Sequence, residues 1–452
     1  MTTSDHRPTT SQMVAYAAPL LGSHFYYNPM WAILPAIYVK YFGLELTAVA
    51  AVVVIIRLFD GITDPTIGYL ADRHRAANGS RKSWVIAGGI GSIISVYFLF
   101  LPPVPVTAGY FLFWSLAYFL ALTVSDIPHM AWGAELTMHY NHRARVYSVR
   151  NIFSTLGYLA FYMLPFLPIY SSTEYTPQVL SDAVYLGATL TLIGMLWMLV
   201  YAPAGSTATN AVSKDSPKAL LRSLAHNKPL HIYFAGYLCF GLALGMWNGL
   251  LFIYLDAFLG LGVYIAAILT VGAIAGGLST PLWLTLIEKT SKHFTWAIGL
   301  GCFCTQMLLM VFLIDQQSPW WWSLVLVMLA FISFACHNVA SLSTLADVID
   351  YGQLKFHQNR GSTYISVNNI FYKLGLGVGG GMALAIAGLY GFDAASQTNT
   401  DKAIWGLQLG FIYLPMLISV IGIVFILATP ITRRRHRVID KKLARRLLTG
   451  VA

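Results

Sequence analysis

RLFDGITDPTIGYLADRHRAANGSRKSW, residues 57–84, is the stretch whose reading decides the fold. Residues 47–56 just before it are almost wholly apolar. At ~1.5 Å rise per residue, that run continued to Ala71 is long enough to cross the ~30 Å hydrocarbon core of a bilayer. The segment therefore reads as a membrane-spanning helix. Arg57, Asp60 and Asp64 nevertheless fall near its middle, where a bare charge costs at least ~2.5–3.5 kcal/mol. Arg57, Asp60, Gly61, Asp64 and Gly68 are spaced i, i+3, i+4, i+7 and i+11, which is one stripe of a helix. Two carboxylates sharing a face repel each other, so a cation, a shared proton or a basic partner is implied. Pro65 removes one backbone hydrogen bond, which is tolerated where a helix faces protein or a water-filled cavity. A purely structural salt-bridge node around Arg57 is the alternative, although one arginine balances only one of the two acids.

Composition places this helix in a polytopic membrane protein. Of 452 residues, 57% are hydrophobic and only 10% charged, against about a quarter charged in soluble domains. The polar N-terminus leads into a long apolar span without a small-residue cleavage site, so no removable signal peptide is expected. Cys239, Cys302, Cys304 and Cys336 all lie in apolar runs and show neither disulfide nor metal-ligand spacing.

Twelve apolar spans are expected, roughly 13–41, 47–71, 83–103, 107–131, 147–170, 180–202, 229–256, 263–287, 294–314, 319–346, 361–391 and 403–429. An even number puts both termini on one side. Placing that side in the cytoplasm gathers Arg73, Arg75, Arg81, Lys82, Arg143, Arg145, Arg150, Lys289, Lys292, Lys355 and Arg360 inside, as the positive-inside rule requires. A plasma (inner) membrane location with cytoplasmic termini is therefore expected. The net charge of +10 is scattered through short loops, which excludes nucleic acid as a partner. No obligate protein partner is evident, and no residue pattern points to an enzyme.

Several spans carry polar stripes. In the first, His24, Asn28, Trp31 and Pro35 recur at i, i+4, i+7 and i+11. Trp31 offers a flat face to a sugar ring or another amphipathic solute, with His24 and Asn28 as hydrogen-bonding groups; alternatively the two polar residues tie helices together. After the second span, GYLADRHR matches the G-x-x-x-D-R-x-R pattern found between the second and third helices of major facilitator transporters. Asp72, Arg73 and Arg75 there are gating candidates, able to latch helix ends in one conformation and release them in another. Asp126, in VSDIPHMAWGAELT, is a third intramembrane acid beside a proline, and Arg150 opens the following apolar run.

The chain is a duplication. NIFSTLG at 151–157 returns as NIFYKLG at 369–375, Asp64-Pro65 returns as Thr280-Pro281, and Asp126 with Glu135 returns as Asn338 with Asp347. The offsets of 216, 212 and 218 residues are mutually consistent, so two related six-helix units are expected. The expected domains are residues 1–202, a Ser/Thr/Ala/Lys-rich cytoplasmic linker at 203–228, residues 229–432, and a basic cytoplasmic tail at 433–452, lying on the inner leaflet or in solvent. Acid gathers in the first half, whereas the second carries Lys373 where the first has Thr155. A mid-membrane ammonium needs a partner, and Asp60, Asp64 and Asp126 are its natural ones across the interface of the halves.

Taken together, RLFDGITDPTIGYLADR, SDIPHMAWGAEL, RARVYSVRNIF and LADVIDYGQLKFHQNRGSTYISVNNIFYKLG resemble the glycoside-pentoside-hexuronide:cation symporters, the melibiose permease-like family of the major facilitator superfamily. The resemblance covers both halves. It implies that Asp60 and Asp64 bind the coupling cation (Na+ or H+, and Na+ as the metal if sodium is used), with Lys373 beside them. It further implies that Asp126 links cation and sugar and that Arg150 lies near the sugar. His24 stands where sugar-transporting members often have a carboxylate, and Met130 stands where they have a tryptophan.

The fold expected is thus an all-α membrane protein with twelve transmembrane helices in two pseudo-symmetric six-helix bundles, the major facilitator fold. The function expected is symport of a small polar solute, a sugar or glycoside, driven by Na+ or H+ through alternating access. Cation-site candidates are Asp60, Asp64, Asp126 and Lys373. Solute-site candidates are His24, Asn28, Trp31, Asp126, Arg150, Asn338, Asn369 and Lys373. No cofactor beyond the coupling ion is expected, and the partners are the solute, the cation and the bilayer. A lysolipid or other amphiphile flippase is the alternative, since animal relatives with a similar acid pair are thought to carry lysophospholipids. A non-transporting sensor on the same scaffold would need a signalling domain, which a short tail does not supply.

Overall fold

A computed structural model describes residues 8–78, 80–137, 140–203, 224–356, 361–396 and 398–449. These residues are almost entirely helical, without a strand among them. The reason is the solvent: in hydrocarbon every backbone N–H and C=O must be satisfied within its own segment.

The first expected span is three helices in succession, α1 (Thr10–Ala17), α2 (Pro19–Ala32) and α3 (Leu34–Phe42). Pro19 opens α2, and α3 has a proline in its first turn. A proline has no N–H to donate and crowds the preceding carbonyl, so the helix restarts at each. The chain then runs through α4 (Leu46–Asn78), α5 (Lys82–Phe100), α6 (Ala108–Glu135), α7 (Tyr140–Met163) and α8 (Pro177–Tyr201). The second half comprises α9 (Lys228–Ile253), α10 (Ile265–Lys289), α11 (Lys292–Leu313), α12 (Trp320–Phe356), α13 (Gly361–Leu389), then α14 (Asp401–Gln408) and α15 (Leu414–Leu427), joined by a π-helical turn. Ten of the resulting segments are long and apolar enough to span a bilayer on their own. The broken first span and α7, whose N-terminal half is polar, complete twelve passes among the described residues.

Side-chain caps set several boundaries. The hydroxyls of Thr107, Thr176, Ser291 and Thr400 accept from the backbone N–H groups that start α6, α8, α11 and α14. Three helices depart most from expectation, α4 running on to Asn78 rather than ending near 71. Helix α7 begins at Tyr140 rather than near 147 and stops at Met163, just before Pro165; α12 runs on to Phe356 rather than ending near 346. Hydropathy marks the membrane-embedded stretch and not the polar helical turns that extend it.

The chain separates into two compact units. The first comprises Met1–Val212 with Leu261–Ala267 and Asp393–Asn399, and the second comprises Ser213–Gly260, Ile268–Phe392 and Thr400–Ala452. The expected linker at 203–228 lies for the most part outside the described residues. Its C-terminal end does not behave as a linker: Asn227 is fully buried, caps α9 and donates from Nδ2 to the Tyr364 hydroxyl at 3.2 Å.

In the first unit, Tyr16, Val85, Trp132, Val146 and Met198 form a buried apolar cluster, and Trp132 Nε1 donates to Pro203 O at 3.0 Å. In the second, α9 and α13 approach backbone to backbone. A Cβ at Gly245 would stand 2.1 Å from Leu376 O, and one at Gly379 would stand 2.2 Å from Leu242 O. Only glycine fits there, the small-xxx-small mode of membrane helix packing.

The tail is a helix, α16 (Arg433–Thr449), rather than a segment lying only on lipid or in solvent. Arg433 Nη1 donates to Glu288 O at 2.9 Å, and His436 Nε2 lies 3.1 Å from Asp350 Oδ2 and 3.2 Å from Asp347 Oδ1. The carboxylates at the polar end of α12 hold its first turn down.

Candidate functional site

Helix α4 delivers the charged stripe intact. Arg57 Nη1 donates to Asp60 Oδ2 at 2.8 Å, and both side chains are buried. The Arg57 guanidinium also lies over the Trp31 ring, 3.2 Å from its centroid, and 5.4 Å from that of Phe119. Trp31 and Phe119 in turn pack with centroids 4.5 Å apart. Arginine is suited to this place, because the face of its weakly hydrated guanidinium can rest on rings while its edge donates to a carboxylate. Its partner is thus Asp60, and one face of the expected sugar platform at Trp31 is covered by Arg57.

One helical turn further on, half-buried Asp64 accepts from the Thr123 hydroxyl on α6 at 2.9 Å. The bond ties α4 to α6 at the level of the acids. Three residues along α6, Asp126 forms an ion pair with Arg150 of α7. Arg150 Nε also points at His129 Nδ1, 3.4 Å away, while His129 Nε2 lies 2.9 Å from Tyr16 O. A carbonyl only accepts and a guanidinium only donates, so Nε2 carries the proton and Nδ1 is the acceptor. Tyr16 closes the loop: its ring stacks on His129 with centroids 4.2 Å apart, and its hydroxyl donates to His129 O at 2.7 Å. Helices α1, α6 and α7 are thereby locked around Asp126–Arg150.

His24 is half-buried on α2, where Nδ1 donates to Leu20 O at 3.1 Å and the ring sits 5.4 Å from that of Tyr27. Asn28 belongs to α2, but its side chain lies outside the described residues. In the second unit, Asn338 is exposed on α12, Asn369 is exposed on α13, and Lys373 is half-buried four residues further along α13.

At the polar ends of the helices, Asp72 accepts from Arg81 Nη2 at 2.6 Å. Glu135 accepts from Arg75 Nε and Arg81 Nε, at 2.9 Å each. Arg73 is exposed. The centre of this clamp is Glu135, the end residue of α6, which the expected trio of Asp72, Arg73 and Arg75 does not include. The second unit repeats the device: Lys292 Nζ at the start of α11 lies 2.5 Å from Asp347 Oδ1. The signal for both clamps was the recurrence of Glu135 as Asp347. Thr123, His129 and Phe119 carried a fainter signal, since each lies within one or two turns of Asp126 on α6.

The family described as MFS/sugar transport protein matches residues 12–433 of the chain. A lactose permease of Lactobacillus helveticus is 20% identical over 482 aligned residues, spanning 99% of this chain and 74% of the permease. A glucuronide carrier protein homolog of Escherichia coli (strain K12) is 22% identical over 457 aligned residues, with 97% and 98% covered. Among solved structures, a D-xylose-proton symporter superposes with a TM-score of 0.66 at 13% identity, covering 92% of this chain and 96% of that one, a likeness of fold.

Proposed function

The chain belongs to the MFS/sugar transport protein family, and from that premise we propose that it is a cation-coupled symporter of a hydroxyl-rich solute, a sugar or glycoside, in a plasma (inner) membrane with both termini cytoplasmic. One observation carries the reading. Three intramembrane carboxylates stand in one bundle, each in contact with a polar partner: Asp60 with Arg57, Asp64 with Thr123, and Asp126 with Arg150. Buried ion pairs are weak devices for stability, because desolvation consumes most of the attraction. Three acids in one membrane-embedded bundle therefore point to work done on charge.

Asp60 and Asp64 are the cation carboxylates, one turn apart on α4. A Na+ or H+ arriving there takes over charge that Arg57 balances, and Arg57 then has the Trp31 and Phe119 ring faces to rest on, a contact of about 0.5–2 kcal/mol. Asp126 and Arg150 supply an acceptor and a donor for solute hydroxyls, with His24 and Trp31 on α2 as further solute contacts. Lys373 enters the coupling on the ground of its charge. Cation and solute together neutralise the site, so the fully loaded or empty carrier changes conformation whereas a half-loaded one retains an uncompensated charge. The lactose, glucuronide and D-xylose proteins similar to this chain support a sugar as solute.

A thermal-shift screen of the purified protein against sugars, organic acids and lysolipids, with and without Na+ and at two pH values, tests this. A bound ligand raises stability by about RT ln(1 + [L]/Kd). A sugar whose stabilisation grows with Na+ or with proton concentration is the expected result. Stabilisation by lysolipid, with no response to any sugar or acid, would overturn it.

A further inference from the structure

The second unit contains a cavity lined by none of the cation- or solute-site candidates. It measures about 850 Å³ and lies between α16, the start of α9 and the end of α12. Four cations ring it: Lys228 from α9, and Arg434, Arg435 and Lys442 from α16. All four are exposed, and none of the described lining residues is acidic. Its floor is apolar, with Ile232, Leu354 and Ile439.

The arrangement follows from how α16 is docked. Arg433 and His436 are engaged by Glu288 O and by Asp347 and Asp350. That fixes the rotation of the helix, so Arg434, Val438 and Lys442, spaced i, i+4 and i+8, share a different stripe. Arg435 is steadied at the rim by donating from Nη1 to Pro430 O at 2.8 Å. The location also matters. Lys228 is the first residue of one membrane-spanning segment, and Ala428 directly follows the end of another at Leu427. The cavity therefore opens at a membrane boundary, where lipid headgroups lie.

We infer that this cavity is a binding site for one anionic phospholipid, its phosphate held by Lys228, Arg434, Arg435 and Lys442 and the start of its acyl chain resting on Ile232, Leu354 and Ile439. The volume suits an amphiphile and is generous for a bare phosphate; small-molecule sites run to about 300–1,000 Å³. Juxtamembrane cations attract anionic lipid at about fivefold in affinity for each charge near the surface, and here four are brought to one pocket with an apolar base.

The test is native mass spectrometry of the full-length protein exchanged from detergent into mixtures of phosphatidylglycerol and phosphatidylcholine. The wild type is expected to retain one phosphatidylglycerol that resists activation. The Arg434→Gln, Arg435→Gln, Lys442→Gln triple variant should bind it about a hundredfold more weakly, at roughly fivefold per charge, with unchanged thermal unfolding in phosphatidylcholine alone. A second variant, Ile232→Asn, should weaken the lipid while sparing the charges. Equal retention of phosphatidylglycerol by the wild type and the triple variant would overturn the assignment. So would full competition by inorganic phosphate at equal concentration, or capture of an acidic peptide in preference to the lipid.

Discussion

The cores of the two units use related sequence to opposite ends. In the first, the middle of the bundle is charged, with Arg57–Asp60, Asp64 beside Thr123, and Asp126–Arg150. In the second, the matching positions are Thr280 and Asn338, and the neighbouring His337 sits among rings. It stacks on Phe240 with centroids 3.5 Å apart, and its Nδ1 accepts from Trp296 Nε1 at 3.0 Å. Away from the core the units agree: each carries in its fourth pass a carboxylate, Glu135 or Asp347, that grips the basic start of its third pass. Duplication kept the clamps that hold helix ends and let the mid-membrane chemistry diverge. A carboxylate in hydrocarbon is costly to keep, and only the first unit keeps one at these positions.

The largest effect expected from this contrast is on accumulation. Asp60→Asn and Asp64→Asn should each reduce solute uptake in proteoliposomes to simple equilibration, while Thr280→Ala leaves accumulation standing. Membrane insertion of Asp64→Asn should be normal, whereas Asp60→Asn also leaves the buried Arg57 guanidinium short of its carboxylate and should lower the unfolding temperature. Accumulation lost equally in the acid variants and in Thr280→Ala would break the contrast. Lys373→Ala should lower the accumulation ratio without lowering the unfolding temperature to match; a loss of both together would make Lys373 a structural residue.

The clamps should differ in strength. Glu135→Gln leaves two largely buried guanidiniums short of their shared carboxylate, at about 2–3 kcal/mol. Asp347→Asn acts on a lysine one-third exposed and should cost about 1 kcal/mol or less, screened by solvent. Unfolding in denaturant or by heat compares the two, and a reversed order would contradict the account. The smallest effect belongs to Trp31→Leu, which removes a ring from under Arg57 and should weaken cation affinity by about 0.5–2 kcal/mol, seen as a shift in the Na+ or pH dependence of uptake.

How far these features were legible in the sequence depended on whether they were local. The i, i+3 spacing of Arg57 and Asp60 on one helix made their pairing legible as the structural alternative, whereas the return of Glu135 as Asp347 was legible as duplication and not as a clamp. The Thr123–Asp64 and Arg150–Asp126 contacts join different helices, and no spacing within one element encodes them. Trp31 was legible as a polar-face aromatic but not as the seat of Arg57: a ring and a cation separated in sequence meet only when α2 and α4 pack. The tail read as basic and amphipathic, whereas its docking depends on Asp347 and Asp350 lying on turns that α12 adds beyond its apolar run. Hydropathy does not report such turns.

The central claim is that the charged core of the first unit couples a cation to a solute, and charge movement on a solid-supported membrane tests it most directly. Proteoliposomes containing the wild type, given a pulse of the stabilising sugar, should produce a transient positive current that grows with Na+ or with proton concentration. Asp64→Asn should give none, and Thr280→Ala should give the wild-type response. Solute entry by the wild type with no charge movement under any cation or pH gradient would contradict the claim.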